Sequence, residues 1–179
     1  MIHRYKKLPS TQDLARKLAE DGAPPWTIVL AREQTKGRGR MERRWFSGPG
    51  GLYFSIVLRP KIAPESLAKL SPAVGEACAR ALCRATGLET TVKPPNDVLA
   101  RARGGTFKKV CGILLEASSG SKTVYWLVAG VGVNVSNRLP KSLPEAASLS
   151  ALAGKRLSAS KVLAALLDEL RNVLEPARS

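Results

Sequence analysis

Val110-Cys111-Gly112-Ile113-Leu114-Leu115-Glu116 is an apolar run, and Thr123-Val124-Tyr125-Trp126-Leu127-Val128-Ala129-Gly130-Val131 is a second. Between them lies Ser118-Ser119-Gly120-Ser121, a cluster of turn residues. Two apolar runs separated by such a cluster predict two strands joined as an antiparallel hairpin. Working outward, Thr27–Ala31 reads as a buried strand. Leu52–Leu58, closed by Pro60, reads as another, and Leu88–Val92 as a short strand running into Pro94-Pro95. Helices are fewer. Ser10 and Asp13 have capping-box spacing, so a helix starts there and ends at Gly22. Leu67, Leu70, Val74, Ala77, Cys78, Ala81 and Leu82 recur at helical spacing, with Pro72 as a possible kink and Gly87 as the stop. A last helix runs from Ser158 to Leu174, with Val162, Leu163, Leu166, Leu167, Leu170 and Leu174 on one face. Strands outnumber helices and strict β-α-β alternation is missing. The fold class predicted is therefore α+β: a mixed, largely antiparallel sheet layered with helices.

The chain has 179 residues, of which 44% are hydrophobic. That length is near one domain and can bury about 70% of its unfolded surface. No internal repeat or low-complexity block divides it, so residues 1–179 are expected to form one domain. No run approaches the ~18 apolar residues of a membrane span. The N-terminal charges have no apolar run behind them, unlike a secretory signal. A cytoplasmic location without membrane attachment is expected.

His3 is the only histidine, expected at a mobile terminus, which argues against a histidine triad, a His general base or a multi-histidine zinc site. Cys78, Cys83 and Cys111 lack C-x-x-C spacing and read as buried, reduced thiols. There are 29 basic and 14 acidic side chains, a net charge of +15. Nucleic acid, an anionic membrane or a small anionic substrate would each account for that excess.

Four stretches carry candidate chemistry. Gln34-Thr35-Lys36-Gly37-Arg38-Gly39-Arg40-Met41-Glu42-Arg43-Arg44-Trp45 alternates glycine with arginine. Glycine lets a ligand approach the backbone, arginine grips phosphate or carboxylate, and Trp45 can stack a base. A solvated basic loop or a nucleic-acid contact would use the same residues. Lys93-Pro94-Pro95-Asn96-Asp97 offers a point charge, an amide and a carboxylate able to hold Mg²⁺; an ordinary Pro-Asn turn is the alternative. Lys109 opens the strand that Glu116 closes, where a lysine is commonly just solvated. Gly130-Val131-Gly132-Val133-Asn134 is half a dinucleotide fingerprint without its third glycine, and fits close backbone packing better.

Taken in order, these four stretches and the Ser10-Thr11-Gln12-Asp13 helix start resemble the catalytic domain of biotin protein ligases, over nearly the whole chain. The resemblance implies the biotin/lipoate ligase fold, which is like that of class II synthetases. It implies formation of biotinyl-5′-adenylate from biotin and Mg·ATP, with release of pyrophosphate. Biotin then passes to a lysine of a biotin carboxyl carrier domain, such as that of acetyl-CoA carboxylase. Under it, Ser10, Thr11, Gln12 and Gln34 line the biotin head-group pocket. Gly37, Arg38, Gly39 and Arg40 form a loop that closes over the ligand. Arg38, Arg40 and Lys109 are the catalytic candidates, contacting carboxylate and phosphate, and Gly112 lies beside biotin. Arg40, Trp45, Lys93, Asn96 and Asn134 serve ATP, and Asp97 is the candidate Mg²⁺ ligand. A homodimer through sheet edges is compatible with the resemblance, and no nucleic-acid partner is implied.

Three departures stand out. Glu42 occupies a loop position where the family usually has glycine, and Pro94 replaces a usual tryptophan. The connection from Arg101 to Lys108 is longer and more basic than usual. Neither an N-terminal helix-turn-helix nor a C-terminal β-barrel of the family is expected within these residues. Arg101, Arg103 and Lys108 are surplus to the site and would steer an acidic carrier. The alternative functions are a lipoate or octanoyl ligase of the same fold, a basic nucleic-acid-binding module, and a non-catalytic biotin sensor.

Overall fold

The computed structural model describes residues 1–175. Seven strands form one sheet in the order β1-β2-β3-β7-β6-β5-β4. They are β1 (Ile2–Tyr5), β2 (Thr27–Ala31), β3 (Leu52–Leu58), β4 (Glu89–Lys93), β5 (Asp97–Arg101), β6 (Lys108–Ser119) and β7 (Val124–Val133). Every neighbouring pair is antiparallel except β1 with β2. The helices are α1 (Thr11–Glu20), α2 (Leu67–Thr86), α3 (Leu149–Ala153) and α4 (Ala159–Leu174). This is the α+β architecture that the hairpin predicted, and β6 and β7 are that hairpin.

Helices cover both faces of the sheet. Alternation along each strand sorts the side chains between them. Leu52, Phe54, Ile56 and Leu58 of β3, with Leu127, Ala129, Val131 and Val133 of β7, meet α2 and α4 in the larger core. Val29, Val57 and Val128 point the other way, onto Ala15 and Ala19 of α1. Every residue of β3 is buried. That is why the central strands read as continuous apolar runs rather than as alternation. Burial of each such Val, Leu or Ile is worth roughly 1.5–3 kcal/mol.

The ends of the elements follow local chemistry. Ser10 Oγ accepts the Asp13 N–H at 3.3 Å, capping α1. At the other end, Arg59 donates to Ala19 O in the last turn of α1 at 2.7 Å and to Ala23 O just beyond it at 3.0 Å, setting a cation at the helix C-terminus. Gly87 takes φ +74° and stops α2, as its position predicts. Glu169 of α4, nearly buried, receives Arg80 Nε at 3.1 Å and Arg84 Nη1 at 3.0 Å from α2.

Several expectations need correction. The N-terminus is not a mobile tail: β1 pairs with β2 and places His3 beside Val29. The Lys93–Asp97 stretch is the turn of a β4–β5 hairpin, and β5 then pairs with β6. α2 runs through Pro72 without interruption. Pro72 is the sixth residue of α2, past its first turn, so it costs the one backbone bond to Ala68 O. α3 falls in a stretch with no clear periodicity. Cys78 and Cys111 are buried, but Cys83 is exposed. The surplus cations are partly engaged: Arg101 pairs with Glu89 at 2.7 Å and covers the Phe107 ring, and Lys108 Nζ donates to Pro144 O at 2.7 Å. Among the described residues, no helix is long and apolar enough to cross a membrane.

Candidate functional site

A cavity of about 360 Å³ opens on the α1 side of the sheet. One wall is the start of α1, with Ser10, Thr11 and Gln12. All three are buried polar residues. Ser55, on the same face of β3, lies 3.0 Å from Thr11 Oγ1 and 3.1 Å from Gln12 Oε1. Gln34 Oε1 accepts from Thr11 N at 2.7 Å and Thr11 Oγ1 at 3.0 Å, while its Nε2 donates to Ser47 Oγ at 2.8 Å. Gln34 therefore bridges α1 to the basic loop, and much of its capacity is spent within the protein. Ser10 keeps a hydroxyl proton for a ligand, because its capping bond uses the oxygen as acceptor. Ser55 was not singled out by sequence; its signal is a lone polar residue in an otherwise apolar strand.

The floor is made of glycines on β6 and β7. Gly112 and Gly132 sit opposite each other in register. A Cβ at Gly112 would lie 2.8 Å from Trp45 Cζ3, and one at Gly132 would lie 2.5 Å from Trp45 Nε1. The absent side chains thus let the indole lie against the sheet, as the close-packing interpretation of Gly130-Val131-Gly132 expects. Trp45 Nε1 is buried and has no hydrogen-bond partner among the described residues.

The basic loop folds over this floor. Gly39 N donates to Arg43 O at 2.7 Å and Trp45 N to Gly37 O at 2.8 Å, so residues 37–45 form a small hairpin. Its tip holds Met41 at φ +53° and Glu42 at φ +58°. Both lie in the left-handed region that favours glycine. Arg38, Gly39, Arg40 and Trp45 line the cavity. Gly37 does not; a Cβ there would lie 2.5 Å from Trp45 O, so it serves the loop's fold rather than its lining. Arg38 contacts Asp13 and Glu116, while Arg40 has no ion-pair partner among the described residues. The carboxylate contacts keep the Arg38 guanidinium above its ordinary pKa, although burial, the largest single influence, acts to lower it.

The cationic end of the cavity is built on β6. Lys109 Nζ lies 2.8 Å from Asp97 Oδ1 and 5.3 Å from the Trp45 ring centre. Its backbone is fixed on both sides, by Lys109 N to Glu145 O at 2.8 Å and Ala147 N to Lys109 O at 3.0 Å. Asn96 donates Nδ2 to Ile113 O at 2.8 Å, leaving its Oδ1 as the free acceptor. Asn134 accepts from Asn137 Nδ2 at 3.0 Å, leaving its own Nδ2 to donate into the cavity. Lys93 is the exception. It is exposed on the edge strand β4, does not line the cavity, and is separated from the floor by β5.

The donor set does not make a protein metal centre. Asp97 already faces Lys109, and among the described residues no three His, Cys, Asp or Glu side chains converge. The cavity instead suits a ligand with a polar neutral head at α1, an apolar body beside the Trp45 ring, and an anionic end at Lys109 and Arg40.

Known proteins resemble this chain in sequence and in fold. Residues 5–134 match the biotin/lipoate A/B protein ligase family. The bifunctional ligase/repressor BirA of Bacillus subtilis is 37% identical over 166 residues, covering 89% of this chain and 49% of that protein. A biotin–[acetyl-CoA-carboxylase] ligase of Paracoccus denitrificans is 41% identical over 128 residues, covering 70% and 51%. The chain thus spans about half the length of these curated relatives. The structure of the Aquifex aeolicus biotin protein ligase in complex with biotin and ATP superposes with a TM-score of 0.77 at 33% identity, covering 98% of this chain and 72% of that one. This chain belongs to the biotin/lipoate A/B protein ligase family.

Proposed function

We propose that the chain activates biotin with ATP and transfers it to a lysine of a biotin carboxyl carrier domain. The observation that carries this is one cavity with the α1 hydroxyls and amides at one end and Lys109 with Arg40 at the other. Relatives named as biotin ligases support biotin over lipoate as the acid. ATP enters as its magnesium complex, with the metal carried on the phosphates.

In the first step a biotin carboxylate oxygen attacks the α-phosphorus, an acyl–phosphate bond forms, and pyrophosphate leaves. A carboxylate is ionised near neutral pH, so the step needs no general base and the scarcity of histidine is no obstacle. The difficulty is bringing two anions together. Preorganised positive charge at Lys109 and Arg40 meets that need. Asp97 holds Lys109 in place. Trp45 offers its ring and Asn134 its Nδ2 donor to the adenine. In the second step the carrier lysine nitrogen attacks the acyl carbon, loses a proton as the amide forms, and releases AMP.

ATP–pyrophosphate exchange tests the proposal. Exchange that depends on biotin and is not supported by lipoate is the expected result. Exchange with lipoate alone would assign the chain to the other branch of its family, and no exchange with either acid would exclude activation.

A further inference from the structure

Arg38 stands in the basic loop, yet its guanidinium is taken up by two carboxylates. Nη1 lies 2.7 Å from Asp13 Oδ1, and Nη2 lies 2.9 Å from Glu116 Oε1, with a second contact of 3.4 Å from Nη1 to Glu116 Oε2. Asp13 is in the first turn of α1, beside the residues of the polar wall. Glu116 is on β6, the strand that carries Lys109 and Gly112. One side chain therefore ties the loop to two walls of the cavity. Two carboxylates against one guanidinium leave the cluster with a formal charge of −1, an arrangement unsuited to gripping another anion. Arg40, Arg43 and Arg44 of the same loop also line the cavity and have no carboxylate partner among the described residues.

We propose that Asp13, Arg38 and Glu116 form a latch that holds the 37–45 loop over the cavity and retains the acyl-adenylate between the two half-reactions. All three are positioning residues. This rests on the biotin-activation reading, because only an enzyme with a reactive intermediate gains from its retention. A mixed anhydride exposed to water hydrolyses, so a closed loop protects the product of the first step. The latch must also open for the carrier lysine. Its side chains are 39%, 43% and 24% exposed for Arg38, Asp13 and Glu116, so these are partly solvated pairs, weak enough singly to break and re-form within a catalytic cycle.

The test uses Asp13→Asn, Glu116→Gln and the double variant, which keep shape and remove charge. The first readout is release of biotinyl-AMP from the enzyme. The second, made on the protein alone, is the rate of tryptic cleavage between Lys36 and Arg44. The double variant is expected to release the adenylate about tenfold faster, equivalent to about 1.4 kcal/mol, and to be cut faster by a similar factor. Each single variant should fall between it and wild type, and Arg38→Lys, which keeps the charge without the fork, should recover part of the retention. Release and cleavage at wild-type rates, or a loss of thermal stability with no change in either, would overturn the latch. Should the double variant not fold, the single variants decide by the same criteria. A wild-type protein that makes no adenylate would refute the activation reading, and the tryptic rates would still decide the latch.

Discussion

At the residue scale, the proposed reaction rests most heavily on Lys109. Removing its charge with Lys109→Ala should lower biotin-dependent pyrophosphate exchange about 10²-fold or more, judged by the effect of single electrostatic contacts elsewhere; an exchange rate near wild type would deny it that role. Glu42 is a different kind of residue, a side chain held at φ +58° where glycine is at ease. Glu42→Gly should ease loop closure and slow tryptic cleavage of the loop. The cysteines divide by environment. Cys83 is exposed and should react with a thiol reagent in the native protein, whereas Cys78 and Cys111 should react only on unfolding. The neighbouring Cys78 thiol, followed by burial, holds the Cys111 thiol well above its ordinary value of 9.0. The folded protein therefore keeps a proton that the unfolded chain loses. Its contribution is undiminished below 9.0 and is lost as pH rises from there toward the folded value, by up to about 1.4 kcal/mol per pH unit. Urea titrations on either side of that pH should show this fall, and Cys111→Ala should flatten it. Residue identities on the loop and on β6 were legible because their chemistry depends on residue type. Two details were not. The ion pairing of Arg38 depends on carboxylates distant in sequence, and the exclusion of Lys93 depends on which strand is outermost.

Elements place those residues, and here packing decides. Leu166 and Leu170 of α4 are fully buried against the sheet and α2. Leu166→Ala should cost about 2–5 kcal/mol in chemical unfolding, with Tm lowered accordingly; a loss below about 1 kcal/mol would mean that α4 is not the lid of the core. The glycine floor gives a sharper outcome. Gly132→Ala sets a Cβ against Trp45 Nε1, so the indole must move. KM for ATP should rise with little change in thermal stability. Of the strands most readily found from sequence, β2, β3 and β7 are mostly buried, and burial on both faces writes a continuous apolar run; β6 reads as apolar although only Val110, Cys111 and Ile113 are buried. β1 and β5 escaped notice for the opposite reason. β1 is a short, largely exposed edge strand, and β5 is interrupted by a register shift between Val98 and Leu99. Helix ends were legible where a cap is local, as at Ser10, Gly87 and Ser158.

The whole molecule carries a net charge of +15, and the cavity explains only part of it. Arg40 and Lys109 face the site, Arg38 is neutralised, and Arg101 and Lys108 are engaged locally. The excess that remains still gives the protein a long-range positive field, suited to steering an acidic carrier domain. Transfer to such a carrier should slow as salt rises from about 0.1 M to about 1 M, where the screening length falls from about 10 Å to about 3 Å. Adenylate formation, proposed to take place inside the cavity, should respond less. Both expectations depend on the chain being able to join biotin to AMP. Mass spectrometry of the protein after incubation with biotin and ATP measures that directly. Wild type should yield bound biotinyl-5′-AMP and Lys109→Ala little or none. Absence of the adenylate from wild type, or equal amounts from both proteins, would contradict the account.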